Sequence, residues 1–227
     1  MPEWGLAGVV KAMLIEPEVS QPGSKRLNAR REAFLAAGRA VFQEKGFAAA
    51  TLDDIIARSG GSRQTLYSLF GGKQGLFEAI ITDICDTIFH GLTPDEMAPR
   101  VPEEALEELG VRYLSIVTSE ECINLHRLVI AEADRLPEMG QRFWKSGPGQ
   151  SRAFLTQYFD GQVARGLLAI PDTAAAADHF LGMLSGTIRM LCLIGLRAPP
   201  DEPEIRRFTK LAVRQFLSGC EIKAPVV

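Results

Sequence analysis

Histidine and cysteine are scarce in this chain, 3 and 4 among 227 residues, and the scarcity narrows the chemistry before any motif is sought. The cysteines, at 85, 122, 192 and 220, form no CxxC pair, so zinc ribbons, thioredoxin chemistry and a secreted cystine framework lack their spacing. No metal and no cofactor is expected, and a reducing cytoplasm fits best. Long apolar runs are missing too. Lys11 breaks Leu6 to Ile15, which no basic run precedes, and Arg189 with several small residues interrupts Phe180 to Leu196, so neither a signal peptide nor a membrane span is expected. No Gly-rich phosphate loop follows a strand pattern, and neither a nucleophile elbow nor HExxH occurs. Asp178 and His179 are adjacent and cannot face one another on a helix. The chain is therefore not expected to be an enzyme.

What is present is ordinary for a globular protein: 46% hydrophobic and 23% charged residues, enough for one substantial core or two small ones. The net charge of -3 is unevenly spread, with 10 basic against 7 acidic residues in 1–74 and 15 against 21 in 75–227. A slightly basic front on an acidic body suits a small head that approaches phosphates while the rest does not.

Residues 1–24 show no sustained period and are expected to form a flexible arm. From Lys25 a helical period begins, with Phe34, Ala37, Gly38, Val41 and Phe42 on one face, ending at Gly46. Thr51 with Asp54 makes a capping box for a short helix reaching about Ser59. Gly60 and Gly61 supply a tight turn, and Ser62 can cap a second short helix from Arg63 to Phe70. Two short helices about a glycine turn form a helix-turn-helix. Helical patterns then fill the chain: a long helix through Phe77 and Ile88, one through Leu106 and Val117, one opened by Thr118 with Glu121, and segments 137–145, 150–165, 173–196 and 201–218. Pro94, Pro99 and Pro102 mark a loop. The expected fold is all-α, with a three-helix DNA-binding domain at 25–74 and a helical regulatory and dimerisation domain at 75–227.

The segment resembles the N-terminal domain of the TetR family of transcriptional regulators. The matching residues are Lys45-Gly46-Phe47, then Thr51, Ile55, Ala57, Gly60 and Ser62, the run Thr65-Leu66-Tyr67, and Phe70, Lys73, Leu76 and Phe77, in order over about 55 residues. Gly61 departs from the pattern, standing where the family more often has an apolar residue, and Gly71, Gly72 and Gly75 make the next helix start unusually glycine-rich.

So short a recognition helix reads bases with its first residues. Arg63, Gln64 and Thr65 are the base-edge candidates, since Arg suits guanine O6/N7 and Gln suits adenine N6/N7. Ser62 belongs to the same surface. The resemblance implies backbone contacts from Tyr67, Lys73 and Thr51, and Lys73 at a helix start is expected to converge with free N–H groups on one phosphate. Arg30, Arg31 and Arg58 are read as solvated surface.

The resemblance also implies a homodimer through the last two long helices, a small-molecule inducer and a near-palindromic operator. The apolar 173–196 segment, with Gly182, Ser185 and Gly186, and the stripe Ile205, Phe208, Leu211, Ala212, Phe216 and Leu217 are expected to supply the pairing surface. Candidate inducer contacts are Cys122, His126, Arg127, Phe143, Trp144, Tyr158, His179 and Met183, with Met190 beside them; residues 127–149 resemble the AefR-type subgroup. Cys122 and His126, four apart, are two ligands and not a metal site. A helical ligand-binding protein or adaptor without DNA binding is the alternative.

Overall fold

The computed structural model describes residues 22–220, so most of the arm expected over 1–24 lies outside the described residues. It is 81% helical, without a strand among the described residues. The helices are α1 Pro22–Ala49, α2 Leu52–Ser59, α3 Arg63–Phe70, α4 Lys73–Phe89, α5 Pro94–Met97, α6 Pro102–Val117, α7 Glu120–Glu132, α8 Pro137–Ser146, α9 Pro148–Ala164, α10 Thr173–Leu193 and α11 Glu202–Cys220. None is long and apolar enough to cross a membrane.

Local chemistry sets the boundaries. Gly46, at φ 74°, breaks α1 and leaves a last short turn. Thr51 and Asp54 form the reciprocal capping box of α2, and Gly60, in the left-handed region, ends it. Two sequence expectations are corrected. The Thr118 hydroxyl turns back to the Leu114 carbonyl, so Ser119, whose oxygen accepts from the Cys122 N–H, caps α7. The proline-marked loop contains the single turn α5, closed by Thr93 accepting from the Glu96 N–H with Pro94 in its first position.

Two apolar cores result. One joins α1–α4 through Phe34, Leu35, Ile55, Leu66, Leu76 and Phe77, and Cys122, Leu125 and Val129 of α7 and Met139 of α8 belong to it as well. The other fills the body around Leu114, Tyr158, Phe159, Phe180 and Phe216. Helix α4 threads both, with Leu76 to Cys85 in the first and Ile88 in the second. At about 1.5–3 kcal/mol for each fully buried large apolar side chain, the head cannot tilt on the body without disturbing contacts they share.

Two glycines of the head are dictated by space. A Cβ on Gly75 would lie 1.7 Å from the Phe70 carbonyl oxygen. On Gly61 it would lie 2.2 Å from the Phe34 ring; that ring occupies the room an apolar side chain at 61 would need. The departure at Gly61 is thus compensated from α1.

Candidate nucleic-acid interface and interior cavities

Helix α3 is held by its ends. Ser62 accepts from the Thr65 N–H at 3.1 Å and its hydroxyl pairs with that of Thr65 at 2.8 Å, while Gly71 ends the helix in the left-handed region. Leu66 is fully buried and anchors the inner face. Outward stand Ser62, Arg63, Gln64 and Tyr67, with Thr65 half-buried and Thr51 exposed at the start of α2. Ser68, one turn beyond Gln64, shares this exposed surface; the sequence reading missed it because a serine in a helix carries no signal of its own.

Three side chains have partners that spacing did not disclose. Arg63 Nη2 donates to Asp53 Oδ1 at 2.6 Å, and this bond raises the guanidinium pKa, so Arg63 reaches a base only by leaving Asp53. Lys73 Nζ donates to the carbonyls of Phe47, Ala48 and Ala50 at 2.8, 3.3 and 2.9 Å and lies 4.6 Å from the centre of the Phe47 ring. Burial pushes its pKa down. The ammonium expected to meet a phosphate is thus held, in the absence of DNA, by carbonyls of the short turn that follows Gly46. The start of α4 beside it has no side-chain cap, which leaves its N–H groups for an anion. Arg30, read as solvated, donates to the Ser59 and Gly60 carbonyls at 3.3 and 3.0 Å and ties α1 to the helix-turn-helix turn. Arg58 and Arg31 are also paired, with Glu44 and with Glu32 and Asp83 respectively.

Asp54 joins the head further. It accepts from Lys45 Nζ at 2.7 Å and from the Thr51 hydroxyl and N–H at 2.8 and 3.1 Å, and the Lys45 bond leads in lowering its pKa to about 2.

The inducer candidates divide. Cys122, His126 and Phe143 line one interior cavity between α4, α6, α7, α8, α9 and α10, joined by Cys85, Tyr113, Ser151 and Arg189. These four were missed, although Arg189 interrupting an apolar helix was a visible sign. The cavity has about 30 Å³ of free space, room for roughly one water. His126 Nδ1 donates to the Cys122 carbonyl at 2.7 Å, which leaves Nε2 as the acceptor of a neutral ring. Burial pushes the His126 pKa down, and Phe143 packs edge-on to the ring at 4.9 Å. Burial also raises the Cys85 and Cys122 thiols to about 12, so both stay protonated.

The other candidates lie elsewhere. Arg127 lines a different cleft, between α1, α4 and α7, and donates to the Leu193 and Cys192 carbonyls at the end of α10. Trp144 is exposed. Tyr158 is buried in the body core with no partner for its hydroxyl among the described residues. His179 is exposed and Met183 half-buried on α10, in register with Gly182, Gly186 and Met190 on one helix face. Added Cβ atoms at Gly182 and Gly186 would meet nothing within 4 Å. With Met190, Ile194 and Leu211 more than half exposed, α10 and α11 carry an uncovered apolar surface. Among the described residues no three His, Cys, Asp or Glu side chains gather as a metal site.

The chain is similar to known regulators along most of its length. Residues 34–80 match the family model described as bacterial regulatory proteins, tetR family. Residues 104–219 match the AefR-like transcriptional repressor, C-terminal domain. Among solved structures, a protein of Mesorhizobium loti assigned to the TetR-family transcriptional regulators is 25% identical with a TM-score of 0.73, over 87% of this chain and 99% of that one. The flavonoid-responsive regulator FrrA is 26% identical with a TM-score of 0.70, over 87% and 100%. A TetR transcriptional regulator from Agrobacterium tumefaciens, 23% identical with a TM-score of 0.69 over 86% and 95%, shares the fold. No curated protein sequence matches the chain.

Proposed function

The chain belongs to the TetR family of bacterial transcriptional regulators, which are not enzymes, and we propose that it is a homodimeric repressor released from a near-palindromic operator by a small molecule. The observation that carries this reading is the shared core: the α7 and α8 side chains that help wall the interior cavity adjoin others packed into the head. In this reading Gln64 and Thr65 read base edges, Arg63 joins them on exchanging Asp53 for guanine, and Ser62, Thr51, Tyr67 and the N–H groups at the start of α4 hold the phosphates. Lys73 positions the end of α1 from within. The α10–α11 surface, with Gly182 and Gly186 allowing close approach, pairs two subunits so that both recognition helices meet one face of the duplex.

The inducer enters beside Cys122, His126 and Phe143. Apolar walls with His126 Nε2, Tyr113, Ser151 and Arg189 as polar points suit a flat aromatic molecule bearing hydroxyl groups, in keeping with the flavonoid response of a relative 26% identical. With so little free space, such a ligand must part α7 and α8 from α4. The head then tilts, the two recognition helices lose register, and ligand and operator bind antagonistically by linkage.

Genomic footprinting of the purified dimer tests the reading. A protected near-palindrome is expected, with protection fading as a hydroxylated flavonoid is added. A protein that protects no duplex of its own genome at modest salt contradicts DNA binding. Protection that every candidate aromatic leaves intact contradicts the inducer.

A further inference from the structure

The interior cavity is not the roomiest place where head meets body. A cleft of about 260 Å³ opens where α1 of the head crosses α7 of the body. Its floor is apolar, made by Phe42, Ile80, Ile84, Leu125 and Leu128. Its rim carries two arginines in unlike states. Arg39 is neutralised, paired with Asp83 on α4 and, at 2.7 Å, with Glu121 on α7. Arg127 has no acidic partner among the described residues. Three of its N–H groups go to Leu193 O, Cys192 O and Asn124 Oδ1. A guanidinium has five, so two donors and the whole charge remain.

We propose that this cleft is a second small-molecule site, which takes a compact aromatic carboxylic acid: its ring on the apolar floor, its carboxylate on the free edge of Arg127. The volume lies just below that of common ligand pockets, about 300–1,000 Å³, which favours a ligand of one or two rings. A planar carboxylate matches the guanidinium fork, and a charge-assisted bond to Arg127 leaves its bonds to α10 intact. The consequence differs from that of the interior cavity. The cleft is already open, so an occupant need not part its walls; it bridges α1 and α7 and holds the head where it stands. Arg127 carries the same event to the end of α10. Occupancy is read without DNA, so it stands or falls apart from operator recognition.

The matched probes 2-naphthoate and 2-naphthamide share a ring system and differ in charge. In the full-length protein with labelled Ile, Leu and Val methyls, naphthoate is expected to shift Ile80 and Leu128, which line only the cleft, and to leave Ile88 and Val117 of the interior cavity in place. It should bind about tenfold or more tightly than the amide, and Arg127→Gln should bring the two together while amide binding stays as it was. Shifts at Ile88 and Val117 instead, equal affinity of acid and amide for the unaltered protein, or no naphthoate binding at millimolar concentration would each overturn the proposal. The acid–amide comparison needs no variant, so it decides the matter even if Arg127→Gln fails to fold.

Discussion

Replacing Gly61 by alanine tests how the turn of the helix-turn-helix is built. The added Cβ would stand 2.2 Å from Phe34 Cζ and 2.9 and 3.0 Å from its neighbouring ring carbons. Carbon contacts settle near 3.5 Å, so the ring has to retreat by about 1.3 Å. It has little freedom to do so, being fully buried and set edge-on to Phe70 at 6.1 Å. Overpacking of this kind costs about 1–3 kcal/mol, which for a chain of this size lowers Tm by roughly 2–12 °C at fixed protein concentration. In a Phe34→Leu background the obstructing ring is gone. There Gly61→Ala should cost at least about 1 kcal/mol less, a coupling within the range seen for residues in contact. Thermal and urea melts of the four proteins supply the cycle. A Gly61→Ala variant within about 0.5 kcal/mol of the parent, or one equally costly in both backgrounds, would refute the compensation argument.

Other outcomes follow from the same contacts. Asp54 has its carboxyl held down to about 2, so its contribution to stability is full above the unfolded value near 3.9 and is lost as pH falls through 2; Asp54→Asn should flatten stability over that window in acid melts. Burial lowers the His126 pKa, so stability should fall as pH drops below about 6.5, and His126→Phe should remove that slope. Gly186→Arg meets nothing within the subunit, so helix content should hold while sedimentation shows the proposed dimer become a monomer; a persisting dimer would place the interface elsewhere.

The head was legible because its information is local. Caps, turn glycines and the periodicity of α1 lie within a few residues of what they determine, and the family motif repeats that information. The helices from α8 to α11 were legible for the same reason. The cap of α7 was misread because adjacent hydroxyls, Thr118 and Ser119, compete, and only packing decides that Thr118 turns back to Leu114. The partners of Arg63, Lys73 and Arg30 depend on how helices 10 to 30 residues apart are brought together, which periodicity does not encode. The cavities were the least legible. Helix α7 faces an interior cavity with Cys122 and His126 and a head–body cleft with Asn124, Arg127 and Leu128, and a list of polar or aromatic residues on apolar faces merges the two.

The central claim, that the exposed edge of α3 reads base pairs, is tested most directly by a loss-of-contact measurement on the footprinted operator. Binding of the parent and of Gln64→Ala is compared across single base-pair substitutions at fixed salt. The account predicts that the parent loses about 1–3 kcal/mol at one A·T position of each half-site, and that Gln64→Ala is indifferent to substitution there alone. A variant that weakens on every sequence alike, with the parent's discrimination retained at each position, would contradict it.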